Sequence, residues 1–596
     1  MSGLLPYWAG SEYNISVTDI RKNITALSIG IIMGIAFAMA FAVPVCAGTP
    51  KSDEVYLEKC TIAGQKEFTV GAERGIVDYV EISGRTLDYH SNHHPELYLF
   101  ELKAYQDNIS ECETYTARIG RDEAIDLRLR LNADTEDTRL FSGFVLARKY
   151  GGEYYPVSNR IYVTNPEYIA SSNIAYGDPS SKKGLLVDFY MTDDAMELGV
   201  KRVIVNIDFA MLMGEGICYE YNGHEYEFSE GLVAEYDRVI STYSGKEMQV
   251  TAVVLNALNE NTPELHYDQL SFEDDIGKIP KNAMPRYYHF NTNTQEGMET
   301  TAALASFLAE RYSGEDRAHG RVSNWIIGNE INNPDRWNYM GEKDFDSYMR
   351  EYARSFRVFY NAMKAKSANT KLFFSIDYDW VYSIGSGPDV KYGGKAVVDT
   401  LNTLFRQGGN IDWNLAYHPY SSPMTEPEFW DDSRVTESED SPIINFKNLH
   451  VLTDYLTKGR FLNTKGAVRD IILSEEGFTS RSATRGECQE LQAAAFAYAY
   501  YIADNNEYID AFLLSRQLDA PLEMKDGLYF GLWSCDENGQ PYEKKYIWEV
   551  FRDIDNKDIT LEATAFAKPI IGITRWSDVI PGFKYNEDDS EADTAQ

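Results

Sequence analysis

Trp325-Ile326-Ile327-Gly328-Asn329-Glu330 is an apolar run that ends on a glycine and delivers a carboxylate. Three large apolar residues without alternation are what a parallel strand covered on both faces looks like, and Gly-Asn-Glu places the acid where that strand opens into a loop. A second run has the same design: Ile471-Ile472-Leu473-Ser474-Glu475-Glu476-Gly477-Phe478. In a barrel of parallel strands, that end is where chemistry sits.

Outward from these two runs the chain alternates strand-like and helix-like segments. Val203 to Ile207 reads as a first strand, Gln249 to Leu255 as a second and Arg286 to Asn291 as a third. Asn324 to Gly328 is then the fourth, Lys371 to Asp377 the fifth, Trp413 to His418 the sixth, Asp470 to Glu475 the seventh and Ala511 to Ser515 the eighth. Between them, Ala303, Leu304, Phe307, Leu308 and Tyr312 fall on one helical face, as do Phe345, Met349, Tyr352, Phe356 and Phe359. Eight strands with intervening helices predict an α/β fold, a (β/α)8 TIM barrel spanning 181–560.

Before the barrel, runs such as Ile125-Asp126-Leu127-Arg128-Leu129-Arg130-Leu131 alternate with period two. They predict an N-terminal antiparallel β-sandwich, with its connector, over 49–180. Its role is open between a carbohydrate-binding module and a structural brace on the barrel. Residues 561–596 form a C-terminal extension with an acidic tail.

Residues 1–48 contain a nearly uncharged stretch, Ile24 to Val45, preceded by Arg21 and Lys22. It reads as a signal peptide or an uncleaved membrane anchor, so the expected location is secreted or cell surface, with membrane contact only through that anchor. The net charge of −36, from 92 acidic against 56 basic residues, excludes nucleic acid as an expected partner, because neutralising phosphates needs clustered Lys and Arg. Six cysteines without CxxC spacing give neither a zinc site nor a disulfide framework. No metal and no cofactor are implied, and the sequence sets no oligomeric state.

Paired carboxylates at strand ends suit glycoside hydrolysis, where one protonates the leaving oxygen and the other attacks the anomeric carbon or activates water. If Glu330 and Glu475 end strands four and seven of one barrel, they face each other across its mouth at the closer spacing of a retaining mechanism. Neighbouring strand residues point to opposite sides, so only one of Glu475 and Glu476 faces the axis, and Glu476 stays as the alternative nucleophile. Asn206, His289 and Asn291 lie at or near predicted strand ends and are candidate sugar contacts or ordinary turn and cap formers. Trp337 and Trp533 are candidates to stack on a pyranose face, against the plainer role of packing residues.

Gly328-Asn329-Glu330, His418-Pro419-Tyr420 and Ser474-Glu475-Glu476-Gly477-Phe478 together resemble the clan A glycoside hydrolases, retaining enzymes on TIM barrels. The resemblance covers the barrel and implies that Asn329 contacts the sugar, Glu330 is acid/base, Glu475 is nucleophile, and His418 and Tyr420 support it. The clan's Glu, any residue, Gly, aromatic pattern selects Glu475 over Glu476. The whole chain resembles an uncharacterised family of exported bacterial barrel proteins. The expected activity is that of an exported retaining glycoside hydrolase acting on a poly- or oligosaccharide. The alternative is a non-catalytic carbohydrate-binding surface protein on the same barrel.

Overall fold

The structure is a computed structural model that describes residues 55–69, 72–86, 96–120, 124–267, 287–384 and 390–587. The expected signal or anchor segment and the last residues of the acidic tail lie outside the described residues. Among the described residues, no helix is long and apolar enough to cross a membrane.

The N-terminal part is built of antiparallel sheets. β1 (Val55–Thr69), β2 (Ala72–Thr86) and β5 (Ala124–Arg130) form one. β3 (Leu97–Leu102), β4 (Ala117–Ile119), β6 (Gly143–Tyr150), β7 (Glu153–Pro156) and β8 (Ile161–Tyr162) form the other. The period-two pattern is visible in β5, where Ile125 is buried and Leu127 and Leu129 half-buried while Asp126, Arg128 and Arg130 face solvent. Val80 and Ile82 of the first sheet share an apolar core with Leu99, Phe144 and Leu146 of the second.

Eight parallel strands then close a barrel: β9 (Lys183–Leu186), β10 (Arg202–Asp208), β11 (Gln249–Leu255), β12 (Asn324–Ile327), β13 (Lys371–Asp377), β14 (Trp413–His418), β15 (Ile471–Glu476) and β16 (Ile509–Leu514). β16 pairs with β9 to complete the ring, which leaves no strand edge exposed. Helices follow the strands: α1 (Thr192–Glu197), α2 (Glu230–Ser244), α3 (Gln295–Arg311), α4 (Phe345–Lys364), α5 (Gly394–Gln407), α6 (Leu449–Leu456), α7 (Gln489–Asn505) and α8 (Ile547–Asp553). Ser229, Thr294 and Asp344 start α2, α3 and α4 by accepting backbone N–H bonds from Leu232, Gly297 and Ser347.

The strand count of eight is met by different strands from those expected. Lys183-Gly184-Leu185-Leu186 is the first strand, too short to show a period and begun by a lysine that is buried against the carbonyls of Phe551 and Arg552. The segment expected as the third strand is not in the barrel. Tyr287 and Tyr288 instead bridge to the stretch 336–339 across a long loop, and Phe290 bridges to His266. The two errors cancel, so Asn324–Ile327 and Ile471–Glu476 remain fourth and seventh around the ring.

The lumen is filled, as in a barrel that is a core and not a pore. Ile204, Val253, Ile326, Phe373, Ala416, Ile472 and Leu513 form its floor. Their strand neighbours Val205, Val254, Ile327, Leu415 and Leu473 point the other way, into the layer under the helices. The N-terminal sheets rest on α4 and α5, where Asn159 donates to the carbonyl of Gln407 (3.0 Å), Tyr162 N–H to that of Gly408 (3.0 Å) and Asn361 to that of Leu140 (2.7 Å).

Gly184 shows how tightly the ring closes. A Cβ there would lie 2.3 Å from Leu513 and 2.9 Å from the Arg202 carbonyl oxygen on the two neighbouring strands. Gly184→Val is expected to cost about 1–3 kcal/mol of stability by overpacking, read from equilibrium urea unfolding. An unchanged unfolding midpoint would show that β9 does not pack as described.

Candidate active site

Period two builds the site directly above the lumen floor. Two residues beyond Ile204, Phe373, Ala416 and Ile472 come Asn206, Ser375, His418 and Ser474, so an apolar layer is followed by a polar one. A further two steps give Asp208, Asp377 and Tyr420.

Glu330 enters this layer from the end of β12. Gly328 takes φ 75° and Glu330 itself φ 35°, a left-handed conformation uncommon for a residue with a side chain. The turn is tied down on all sides: Glu330 N–H donates to Ser375 Oγ (2.7 Å) and Asn333 N–H to the Glu330 carbonyl (2.7 Å). Tyr352 and Tyr348 on α4 donate to the carbonyls of Ile327 (2.6 Å) and Ile331 (2.7 Å).

The Glu330 side chain is buried. His418 Nδ1 lies 2.9 Å from its Oε1, and Asn333 donates to its Oε2 at 3.0 Å while also donating to Asp377 at 3.0 Å. His418 Nε2 is fixed by Ser474 Oγ at 3.0 Å. Burial raises the Glu330 pKa, the bond to His418 works against that rise, and the charge of Asp377 adds to it. Burial opposes the imidazolium of His418, but the hydrogen bond to Glu330 and the charge of Glu475 prevail, and its pKa is raised.

Glu475 stands across the mouth, its side chain 23% exposed. Tyr420 donates its hydroxyl to Glu475 Oε1 (3.0 Å), and His418 Nδ1 lies 3.9 Å from Oε2. One atom, His418 Nδ1, therefore reaches both carboxylates at 2.9 and 3.9 Å, so the two oxygens concerned are less than about 7 Å apart even if all three atoms were collinear.

A bulge separates Glu475 from Glu476. Leu473 pairs with Phe512 and Glu476 with Leu514, so β15 spends three steps where β16 spends two. The extra residue lets Ser474 and Glu475 both serve the mouth. Glu476 then shares register with Leu514, whose side chain belongs to the layer under the helices, and is fully buried. No side chain among the described residues hydrogen-bonds the Glu476 carboxyl; burial holds its pKa well above the ordinary range, the charge of Glu475 adds to the rise, and the Leu513 backbone N–H offsets only part of it.

Of the remaining candidates, Asn329 is buried beside Glu330, with Oδ1 3.4 Å from Ser375 Oγ, and Asn206 is a half-buried member of the polar layer. Trp337 stacks on Tyr287 at 5.4 Å and packs on the lumen floor. His289 and Asn291 are not at the site, because their segment is not a barrel strand. His289 is buried against Asn338 and Tyr352, with burial lowering its pKa to about 4, and Asn291 holds the Glu264 carbonyl and the Thr294 cap. Trp533 donates its indole N–H to Asp194, as Trp548 also does, and packs against the outer core.

Sequence reasoning missed several polar residues here. Ser474 lies inside the quoted second run, directly before Glu475, whereas Asn333 lies three residues past Glu330, beyond the end of the first. Lys391 pairs with Asp377 (2.7 Å) and Asp379, and Arg516 with Glu523; each pair closes within the end of one barrel strand and the segment that follows it, where no periodic pattern marks it. Among the described residues, no group of three or more His, Cys, Asp or Glu side chains could hold a metal ion.

A closed parallel barrel with two glutamates around one histidine at its C-terminal rim defines a barrel protein with a carboxylate site. The chain belongs to a family of unknown function, DUF5722, whose model matches residues 175–579. A search of curated proteins finds no match. Among solved structures, a family 39 glycoside hydrolase from Bacteroides cellulosilyticus WH2 is 15% identical, covering 79% of each chain at a TM-score of 0.40. The family 1 β-glucosidase of Thermotoga maritima in complex with isofagomine lactam is 13% identical over 61% of this chain and 86% of its own, at 0.37. The Ruminococcus gnavus β-glucuronidase is 11% identical over 84% of this chain and 68% of its own, at 0.33. Such loose likenesses add nothing to the barrel topology, and the chemistry rests on the side chains.

The buried Glu476 carboxyl has a measurable consequence. Its folded pKa is raised above the unfolded value, so it destabilises the fold once pH exceeds the ordinary 4.5. Glu476→Gln removes that loss. The variant is expected to match wild type near pH 4 and to gain on it above, by up to about 1.4 kcal/mol per pH unit, in urea unfolding at a series of pH values. A difference that does not change with pH would show that Glu476 is not held neutral.

Proposed function

We propose that the protein is an exported retaining glycoside hydrolase acting on a poly- or oligosaccharide. The observation that carries this reading is the single nitrogen, His418 Nδ1, within 2.9 Å of Glu330 and 3.9 Å of Glu475. The upper limit of about 7 Å on those two oxygens admits the ~5–5.5 Å spacing of direct attack by one carboxylate and leaves out most of the ~6.5–9.5 Å range that holds an intervening water. Export rests on the apolar Ile24 to Val45 stretch behind Arg21 and Lys22.

Glu330 carries the proton. Burial beside Asp377 favours its neutral form, as a general acid requires. Glu475, oriented by the Tyr420 hydroxyl, attacks the anomeric carbon as Glu330 gives its proton to the departing glycosidic oxygen. A glycosyl ester forms on Glu475. Glu330, now ionised, takes a proton from water, the resulting hydroxide equivalent attacks the anomeric carbon, and the ester bond to Glu475 breaks. Asn329, Asn206 and Trp337 are assigned to the sugar's surroundings.

A set of epoxide probes of varied sugar configuration tests the assignment, because ring opening needs both a nucleophile and an acid. Wild type is expected to be labelled on Glu475, and Glu475→Ala to take no label. Wild type unlabelled by every configuration would remove the enzyme reading and leave carbohydrate binding alone. Glu330→Gln is expected to slow labelling by about 10²–10⁴-fold.

The same labelling followed against pH probes the histidine. The hydrogen bond and charge of His418 both favour ionised Glu330, so their removal in His418→Phe raises the Glu330 pKa further. Labelling falls as Glu330 loses its proton. Its alkaline limb is therefore expected to move to higher pH in the variant, and an unmoved limb would mean that another group is the acid.

A further inference from the structure

Away from the glutamates, a cavity of 630 Å³ opens where the N-terminal sheets meet α4 and α5. Its volume is that of a small-molecule site, and junctions between folded units are common places for one. The charged residues lining it are Arg160, Arg350, Arg354 and Arg357, against Asp107 alone. In a chain of net charge −36 that excess is against the trend.

Arg357 is 6% exposed and faces no carboxylate among the described residues. Its Nη2 donates to the carbonyls of Phe405 (3.3 Å) and Gly409 (3.0 Å), and its guanidinium lies 4.8 Å from the centre of the Tyr162 ring. Its Nη1 has no acceptor among the described residues. Arg160 lies over the same ring at 5.1 Å, donates to the carbonyls of Gln106 (2.7 Å) and Lys103 (3.0 Å), and leaves its Nε without an acceptor. Arg354 pairs with Asp107 through Nη2, while its buried Nη1 makes no hydrogen bond and sits 3.6 Å from Glu351. Burial lowers the Arg357 pKa to about 10, and the charge of Arg160 adds to the fall.

A purely structural tie accounts for the bonds to carbonyls. It does not account for like charges gathered on one ring with donors left over, since a buried cation without a counter-ion is costly and a buried donor without an acceptor more so. What such an arrangement lacks is an oxyanion, which arginine forks bind with geometric fit. Phe141, Val358, Leu404 and Phe405 give the wall an apolar side that suits the face of a ring, beside the polar Ser158, Asn159, Asn361 and Gln407.

We propose that this cavity binds a small ring compound bearing a carboxylate or sulfate group, with the anion on Arg357 and Arg160 and the ring against the apolar wall. The site is separate from Glu330 and Glu475 and does not depend on their chemistry.

Isothermal titration of the full chain at low salt, with galacturonate, glucose 6-sulfate, inorganic sulfate and glucose as probes, tests it. Galacturonate or glucose 6-sulfate is expected to bind saturably and more tightly than inorganic sulfate, with glucose silent and affinity falling as salt rises. Arg357→Gln is expected to weaken binding at least about tenfold. Because Arg357 also holds backbone carbonyls, Ala353→Phe serves as a second variant that fills the cavity from α4 and leaves every arginine in place; it is expected to abolish binding. Glu475→Gln is expected to bind as wild type does, which separates this site from the glycosidase reading. No binding by either charged ring compound, binding no tighter than inorganic sulfate, or binding that survives both cavity variants would overturn the proposal.

Discussion

One imidazole between two carboxylates is the interaction on which the site depends. At a few ångströms, in surroundings of low polarity, two ionised carboxylates repel strongly, and burial penalises each separately. His418 relieves both by placing Nδ1 against Glu330 and within reach of Glu475 while Ser474 fixes its other nitrogen. The surrounding charges follow the same constraint. Lys391 sits between Asp377 and Asp379, and Arg516 against Glu523, yet burial still takes Asp379 and Glu523 up to about 7. More acidic groups meet here than cations, and burial beside Asp377 pushes the Glu330 pKa upward against the pull of His418.

The backbone at Glu330 is part of that arrangement. A non-glycine residue at φ 35° carries strain of about 1–3 kcal/mol, which persists only where neighbours over-determine it. Ser375, Asn333, Tyr348 and Tyr352 supply four separate bonds around the turn. The gain is directional. An extended backbone would carry Glu330 along the strand, whereas the left-handed turn brings its carboxyl onto His418, which stands two strands away around the ring.

The sequence made the doubly buried strands legible because three or more apolar residues in a row without alternation, repeated between helical stretches, have few other uses. It hid Lys183–Leu186, whose lysine and glycine break the pattern, and it overstated Tyr287-Tyr288-His289-Phe290, whose aromatic content suits a strand but whose partners are loop backbone. That misplacement put His289 and Asn291 near the site when both serve loop packing. The motif glutamates were legible from strand ends. The choice between Glu475 and Glu476 was not decidable by alternation, since a bulge resets the period within β15 and is fixed by pairing with β16. Trp533 shows the converse limit: an aromatic residue beyond the last strand looks like a sugar platform until its indole N–H is found on Asp194, 339 residues away in the chain.

Helix α4 joins the two ends of the molecule. Tyr348 and Tyr352 on it hold the carbonyls that shape the Glu330 turn, and Arg350, Ala353, Arg354 and Arg357 on the same helix line the cavity under the N-terminal sheets. Contiguity alone transmits nothing, because coupling requires an element with two arrangements. A helix gripped on both faces has little freedom to supply a second one. The N-terminal sheets therefore act on the site first as ballast: by holding α4 through Asn361 on the Leu140 carbonyl, Arg354 on Asp107 and Arg357 on the Tyr162 ring, they fix the position of the two tyrosine hydroxyls and so the strained turn that depends on them.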